Sequence, residues 1–142
     1  VAAILKRRPL LFANVSAAWR AILQQTAPNG NYTPTGTGVT NIDSVTPGEA
    51  NYIRVGSSVF VSFYAAADPT AAGGATTVFR LSLPIASDLS ATNHLSGSGS
   101  TQGVWQAVDI TADTTNNEAS VRFTAPVTTA IGIVGTFGYR II

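Results

Sequence analysis

Val59, Val61, Phe63 and Ala65 fall at every second position of residues 58–65, the two-residue period of a half-buried β-strand. The segment before it, residues 52–55, ends at Gly56-Ser57 and reads as its hairpin partner. Phe79, Leu81 and Leu83 alternate with Arg80 and Ser82 over residues 77–83. Pro84 has no amide proton to give a ladder and ends that strand. Residues 103–111 alternate again, with Val104, Val108 and Ile110 in phase, and residues 120–124 place Val121 and Phe123 opposite Arg122. The last segment, residues 128–142, keeps Ile131, Ile133, Phe137, Tyr139 and Ile141 in one phase. Its Gly132, Gly135 and Gly138 predict a bend or a close backbone approach. With residues 39–46 added, seven or eight short strands result. The pattern predicts an all-β chain, a jelly-roll-like β-sandwich. Its core is expected to hold Val59, Val61, Phe63, Phe79, Leu81, Val121, Phe123, Ile131 and Ile133.

Turn residues punctuate this pattern. Asp68-Pro69 through Gly73-Gly74 reads as one loop, and Asp113-Thr114-Thr115-Asn116-Asn117 reads as a turn. Residues 87–101, rich in Ser, Gly and Asn, read as a flexible loop of about fifteen residues, long for a packed domain. The chain shows no internal repeat.

The first 30 residues differ from the rest. Lys6, Arg7, Arg8 and Arg20 lie there without an acid, for the first acid is Asp43. Residues 1–42 therefore carry +4, and residues 43–142 carry four arginines against seven acids, a net −3. Val15, Ala18, Trp19, Ile22 and Leu23 follow helical spacing after Asn14, which suits an N-cap. A short helix is the expectation, with an extended strand as its competitor. Lys6-Arg7-Arg8 before Pro9-Leu10-Leu11-Phe12-Ala13 imitates a signal peptide, but Asn14, Ser16 and Arg20 interrupt it too early. Ala27-Pro28-Asn29-Gly30-Asn31 reads as a turn and a boundary. The expected organisation is a basic and apolar arm, residues 1–30, on a β-sandwich body, residues 31–142.

Composition narrows the chemistry. With no cysteine, disulfides, thiolate metal sites and cysteine nucleophiles are excluded. One histidine, His94, cannot build a zinc site alone. It reads as an exposed loop residue, since no Gly-x-Ser-x-Gly elbow accompanies it. Asp109, Asp113, Asn116, Asn117 and Glu118 offer oxygens of the kind calcium takes, but their spacing is that of an ordinary turn. Gly97-Ser98-Gly99-Ser100-Thr101-Gln102-Gly103 fits no phosphate-binding motif. Tyr32, Tyr52, Tyr64 and Trp105 suit either a sugar-stacking face or a packed interface. No catalytic residue, cofactor or metal is expected, and no apolar run is long enough to span a membrane as a helix.

Only 11% of the residues are charged, while 45% are hydrophobic. A free monomer keeps more charge for solubility, so much of this surface is expected to be covered by other chains. Lys6, Arg7, Arg8, Leu10, Leu11, Phe12 and Trp19 are the candidate partner-binding residues of the arm. The acidic body repels phosphate, so the basic triplet is matched to an acidic protein surface rather than to nucleic acid.

Three segments carry a resemblance. Residues 48–62, with Asn51-Tyr52-Ile53-Arg54-Val55 and Val59-Phe60-Val61 around Gly56-Ser57, are similar to an early hairpin of tailed-bacteriophage surface domains. Phe79-Arg80-Leu81-Ser82-Leu83-Pro84-Ile85 resembles their strand ending in Leu-Pro. Gly135-Thr136-Phe137-Gly138-Tyr139-Arg140-Ile141 resembles their last strand. Such domains occur in tail fibres and in head-fibre or capsid decoration (cement) proteins, with a broader relation to C1q/TNF-like trimers. The resemblance implies a homotrimeric jelly roll on the virion, at the capsid surface, bound to the major capsid protein or another virion protein. It implies no enzyme and no catalytic residue. A fibre tip binding a host glycan is the alternative it implies.

Overall fold

The computed structural model of the chain describes residues 29–142. The arm's candidate residues Lys6, Arg7, Arg8, Leu10, Leu11, Phe12 and Trp19, and the helix expected around Trp19, lie outside the described residues. Ten strands make up the body: β1 (Asn29–Tyr32), β2 (Gly36–Thr40), β3 (Ser44–Pro47), β4 (Ala50–Val55), β5 (Ser58–Asp68), β6 (Thr76–Leu81), β7 (Leu95–Thr101), β8 (Ala107–Asp113), β9 (Glu118–Thr124) and β10 (Ile131–Arg140). The described residues are nearly all β, as their alternation predicts. The strands form one antiparallel sheet in the order β1-β4-β5-β10-β7-β8-β9-β6-β2, with β3 joined to β5 beyond β4.

The pairs β5·β10, β6·β9 and β7·β8 nest inside one another, the arrangement of a long hairpin folded over on itself. The sheet then curls until its ends meet. Gly36 of β2 lies against Val45 and Pro47 of β3, and the Tyr32 hydroxyl of β1 donates to the Ser82 carbonyl beyond β6, at 3.3 Å. One apolar face is thereby turned inward all round.

All nine residues expected in the core are buried, together with Leu89, Leu95, Ile110, Phe137 and Tyr139. The aromatic pairs Phe63–Phe137 and Phe79–Phe123 pack with ring centroids 5.9 and 6.5 Å apart, within the range of tilted and edge-on contacts. The Gly56-Ser57 hairpin forms with Val55 opposite Ser58. Gly56 supplies the positive φ of 61° that the first position of such a two-residue turn needs.

Four local readings are corrected. Asn29 and Gly30 do not turn but begin β1, paired with Ile53 and Tyr52. Residues 39–46 are not one strand: Asn41, at φ 53°, separates β2 from β3. Its side chain donates to the Ala71 carbonyl and the Thr77 hydroxyl and accepts from the Ala71 amide, so it staples the neighbouring loop instead of continuing a ladder. The strand after the 68–74 loop ends at Leu81, not Leu83. Val104 is exposed and lies before β8 starts at Ala107.

The largest correction concerns residues 87–101. Their second half is β7, a central strand between β10 and β8. Small residues are what that position requires, because the neighbouring backbone lies very close. A Cβ at Gly97 would sit 2.5 Å from that of Phe137 and collide with the Thr136 carbonyl.

The connection after β6 is held by tyrosine. The Tyr139 hydroxyl donates to the Ile85 carbonyl at 2.7 Å and accepts from the Ile85 amide at 3.2 Å. Burial pushes this hydroxyl up to about 12, outweighing the lowering effects of the Ile85 amide and Arg54. Tyr32 is raised too, by burial and then by the nearby Tyr139. A group whose pKa is higher folded than unfolded stabilises the fold fully below its unfolded value, near 10 for tyrosine. That contribution is lost as pH rises from about 10 toward 12. The expected thermal midpoint is therefore flat up to pH 10 and falls above it. Tyr139→Phe is expected to cost about 1–2 kcal/mol at pH 7 by leaving two backbone groups unpaired, and to shallow the alkaline fall. Melting curves across pH 8–12 read both; an unchanged slope in the variant rules out this role.

Candidate interaction surface

The outward phase of the central strands is set by register. Gly138 of β10 lies between Phe60 of β5 and Ser96 of β7, Thr136 between Ser62 and Ser98, and Val134 between Tyr64 and Ser100. These rows form a trough along β10. Its floor is lowest at the first row, where Gly138 carries no side chain. One wall is Phe60 and Tyr64, extended on β4 by Ile53 opposite Phe60. The other wall is a row of serines. Two concavities of about 350 and 420 Å³ follow one another along it.

Its chemistry is uncharged. No acid or base lies on these three strands between the Gly138 and Val134 rows; the adjoining Asp109 of β8 is set opposite Arg122. Yet Ile53, Val55 and Phe60 are each more than half exposed, and Tyr64 is 41% exposed. Large apolar side chains clustered on one face mark a contact surface rather than a solvated one. At the end of the trough, Gln102 and Tyr64 meet over Gly132. The tip beyond them presents Trp105 at 78% exposure. That tip is rigidly tied: the Thr101 hydroxyl donates to Val104 O at 2.6 Å and accepts from Gln106 N at 2.9 Å, and Gln102 N reaches Gly132 O at 2.7 Å.

The four aromatics considered for sugar stacking do not share one face. Tyr32 and Tyr52 pack edge to face at 6.0 Å and lean on the core, whereas Tyr64 and Trp105 are exposed. His94 is not an exposed loop residue: it ends a short 3₁₀ turn (Thr92–His94), is half-buried, and its Nδ1 is enclosed without a hydrogen-bond partner. Gly97 and Gly99 belong to β7, not to a flexible loop.

The carboxylates weighed for calcium are otherwise engaged. Asp113 accepts from the amides of Thr115 and Asn116, from the Asn116 side chain and from Arg80. Burial alone raises its pKa, but these hydrogen bonds outweigh it and hold the carboxyl below its usual range. Arg80 also lies 3.4 Å from Glu118, so one guanidinium balances both acids. Among the described residues no group of three or more acidic or histidine side chains converges as a metal site would require.

Phe60 and the three serines were missed as site residues. Phe60 carried a signal, an aromatic in the polar phase of an otherwise regular strand. The serines carried another, since Ser96, Ser98 and Ser100 alternate with Leu95, Gly97 and Gly99. No protein-family model, curated protein or solved structure matches this chain.

Proposed function

We propose that the chain is a structural protein of a tailed-phage virion, a decoration (cement) protein that binds the capsid surface and stabilises its capsomers. The observation that carries this reading is the division of labour along the chain. A β body with an uncharged, partly apolar trough on its outer face follows a segment that is basic and apolar at once. Such a molecule acts by contact. Its trough is lined by hydroxyls and hydrocarbon, groups suited to packing, and the sequence resemblance supplies the setting. In this reading the assembly is a homotrimer, the partner is the major capsid protein or another virion protein, and neither nucleic acid, membrane nor cofactor is engaged. The chain is then not an enzyme.

A second reading is favoured by Trp105. An indole held on a tied tip beside Tyr64 and Gln102 suits stacking on a sugar ring with an amide nearby for its hydroxyls. This is the fibre tip binding a host-surface glycan.

Antibody labelling of purified particles tests the choice. Label over the head surface is the expected result; label at fibre ends moves the glycan reading ahead, and label on neither rejects both. Light scattering of the isolated protein is expected to give the trimer mass, and a monomer at micromolar concentration overturns the trimer.

A further inference from the structure

We propose that the Trp105 tip and the adjoining end of the trough bind a neutral oligosaccharide, one ring stacked on the indole and the next units laid along the serines. The proposal rests on the sugar-stacking reading of Trp105 and adds to it the class of sugar and its direction. Tryptophan is highly buried on average, yet Trp105 is 78% exposed and Val104 beside it 46%. Its loop is fixed before any ligand arrives. Thr101 is fully buried and holds both Val104 and Gln106, and Gly103 makes the turn at φ 87°. An indole presented this way loses little conformational freedom on contact, which favours binding.

Polar groups stand beside it. The Gln102 amide and the Tyr64 hydroxyl converge over Gly132, where a Cβ would lie 2.5 Å from Gln102 Oε1 and 3.2 Å from the Tyr64 hydroxyl. Gln102 is exposed and Tyr64 partly so, so both are open to a ligand. A sugar ring presents C–H groups on its faces and hydroxyls around its rim. An aromatic face flanked by an amide and a phenol meets both kinds of group.

Charge selects the class. Residues 55–67, 95–108 and 123–139, which build the tip and this part of the trough, contain no Asp, Glu, Lys or Arg. Three acids flank the region: Glu49 accepts from Asn31, Asp109 is set opposite Arg122, and Asp68 closes β5. The only base on β10 is Arg140, eight residues from Gly132 and so about 27 Å along the strand. A carboxylated, sulfated or phosphorylated sugar would meet acids here with no free base to hold it. An uncharged sugar is therefore selected.

The trough sets the length. Beyond Gly132, Val134 lies between Tyr64 and Ser100, and Thr136 between Ser62 and Ser98. The concavity at these rows measures about 420 Å³ and is lined by the hydroxyls of Ser62, Ser98, Ser100 and Thr136, a volume suited to further sugar units.

Titrating the isolated protein with neutral oligosaccharides (maltotetraose, cellotetraose, chitotetraose) and acidic ones (sialyllactose, tetragalacturonate) tests this. Binding to a neutral member and to no acidic one is expected. In Trp19→Phe the only indole is Trp105, and its emission is expected to move to shorter wavelength on saturation. Trp105→Ala is expected to weaken binding by about ten-fold or more, with the melting temperature of the body unchanged. Gln102→Ala, and Tyr64→Phe, which keeps the ring against Gly48 and Gly132, are each expected to cost about three-fold. The tetrasaccharide is expected to bind roughly ten-fold more tightly than its monosaccharide. Binding confined to acidic sugars overturns the neutral class and leaves the sugar-stacking reading standing; binding to none overturns both. Affinity unmoved by Trp105→Ala overturns the site, and a monosaccharide as tight as its tetrasaccharide overturns the extension along the serines. None of these outcomes depends on where the chain sits on a particle.

Discussion

Gly97→Ala is expected to leave the β body unfolded or molten at 25 °C, with near-ultraviolet circular dichroism lost and no cooperative melt. The added methyl is the whole cause. It lands on the Thr136 carbonyl and 2.5 Å from Phe137 Cβ, and both belong to the strand that β7 must pair with. A flexible side chain could swing aside, but a backbone carbonyl in a ladder cannot move without breaking its own hydrogen bonds. Severe steric conflicts of this kind cost more than about 4 kcal/mol, against a total stability of about 5–15 kcal/mol for a domain. Ser98→Ala, one residue on and facing outward, is the control and is expected to change stability by no more than about 0.5 kcal/mol. A Gly97→Ala protein with the wild-type melting temperature would return residues 95–101 to the loop that their composition suggests.

Deleting residues 1–12 is expected to abolish attachment to particles while the body still melts as the full chain does. Two contributions are removed together. Leu10, Leu11 and Phe12, if each fills an apolar groove on the capsid, contribute about 1.5–3 kcal/mol apiece. Lys6, Arg7 and Arg8, as exposed pairs with acids, contribute about 0–1 kcal/mol each and mainly steer the approach. Changing only the three basic residues to Gln is therefore expected to weaken binding modestly and to flatten its salt dependence. Sedimentation of particles with each variant across a salt series separates the two terms. Wild-type occupancy by the deletion variant removes the arm as anchor. The trough and the Trp105 tip are then the remaining contact surfaces, and the glycan reading gains.

Where a strand buries one face, its residues announce it, because alternation is the direct image of a pleated backbone with oil on one side. Val59, Val61 and Phe63, Phe79 and Leu81, Val121 and Phe123, and Ile131 and Ile133 were legible for that reason. The Gly56 turn was legible too, since a positive φ there leaves few residue choices. The charge division between arm and body is likewise a property of the sequence.

Three features were decided by tertiary structure. β7 has almost no hydrophobic content, so its strand identity comes from the ladders offered by β10 and β8 on either side, and its glycines and serines are the consequence of their closeness. Arg80, Asp113 and Glu118 are spread over three strands, and only the β6·β9·β8 register brings one guanidinium to both acids. The trough needs Phe60, Gly138 and Ser96 in one row, from positions tens of residues apart. Period and propensity are local quantities carried by neighbours in the chain. Pairing between distant strands is decided by which partners complete one another's hydrogen bonds and fill one core, and that choice exists only once the sheet has curled.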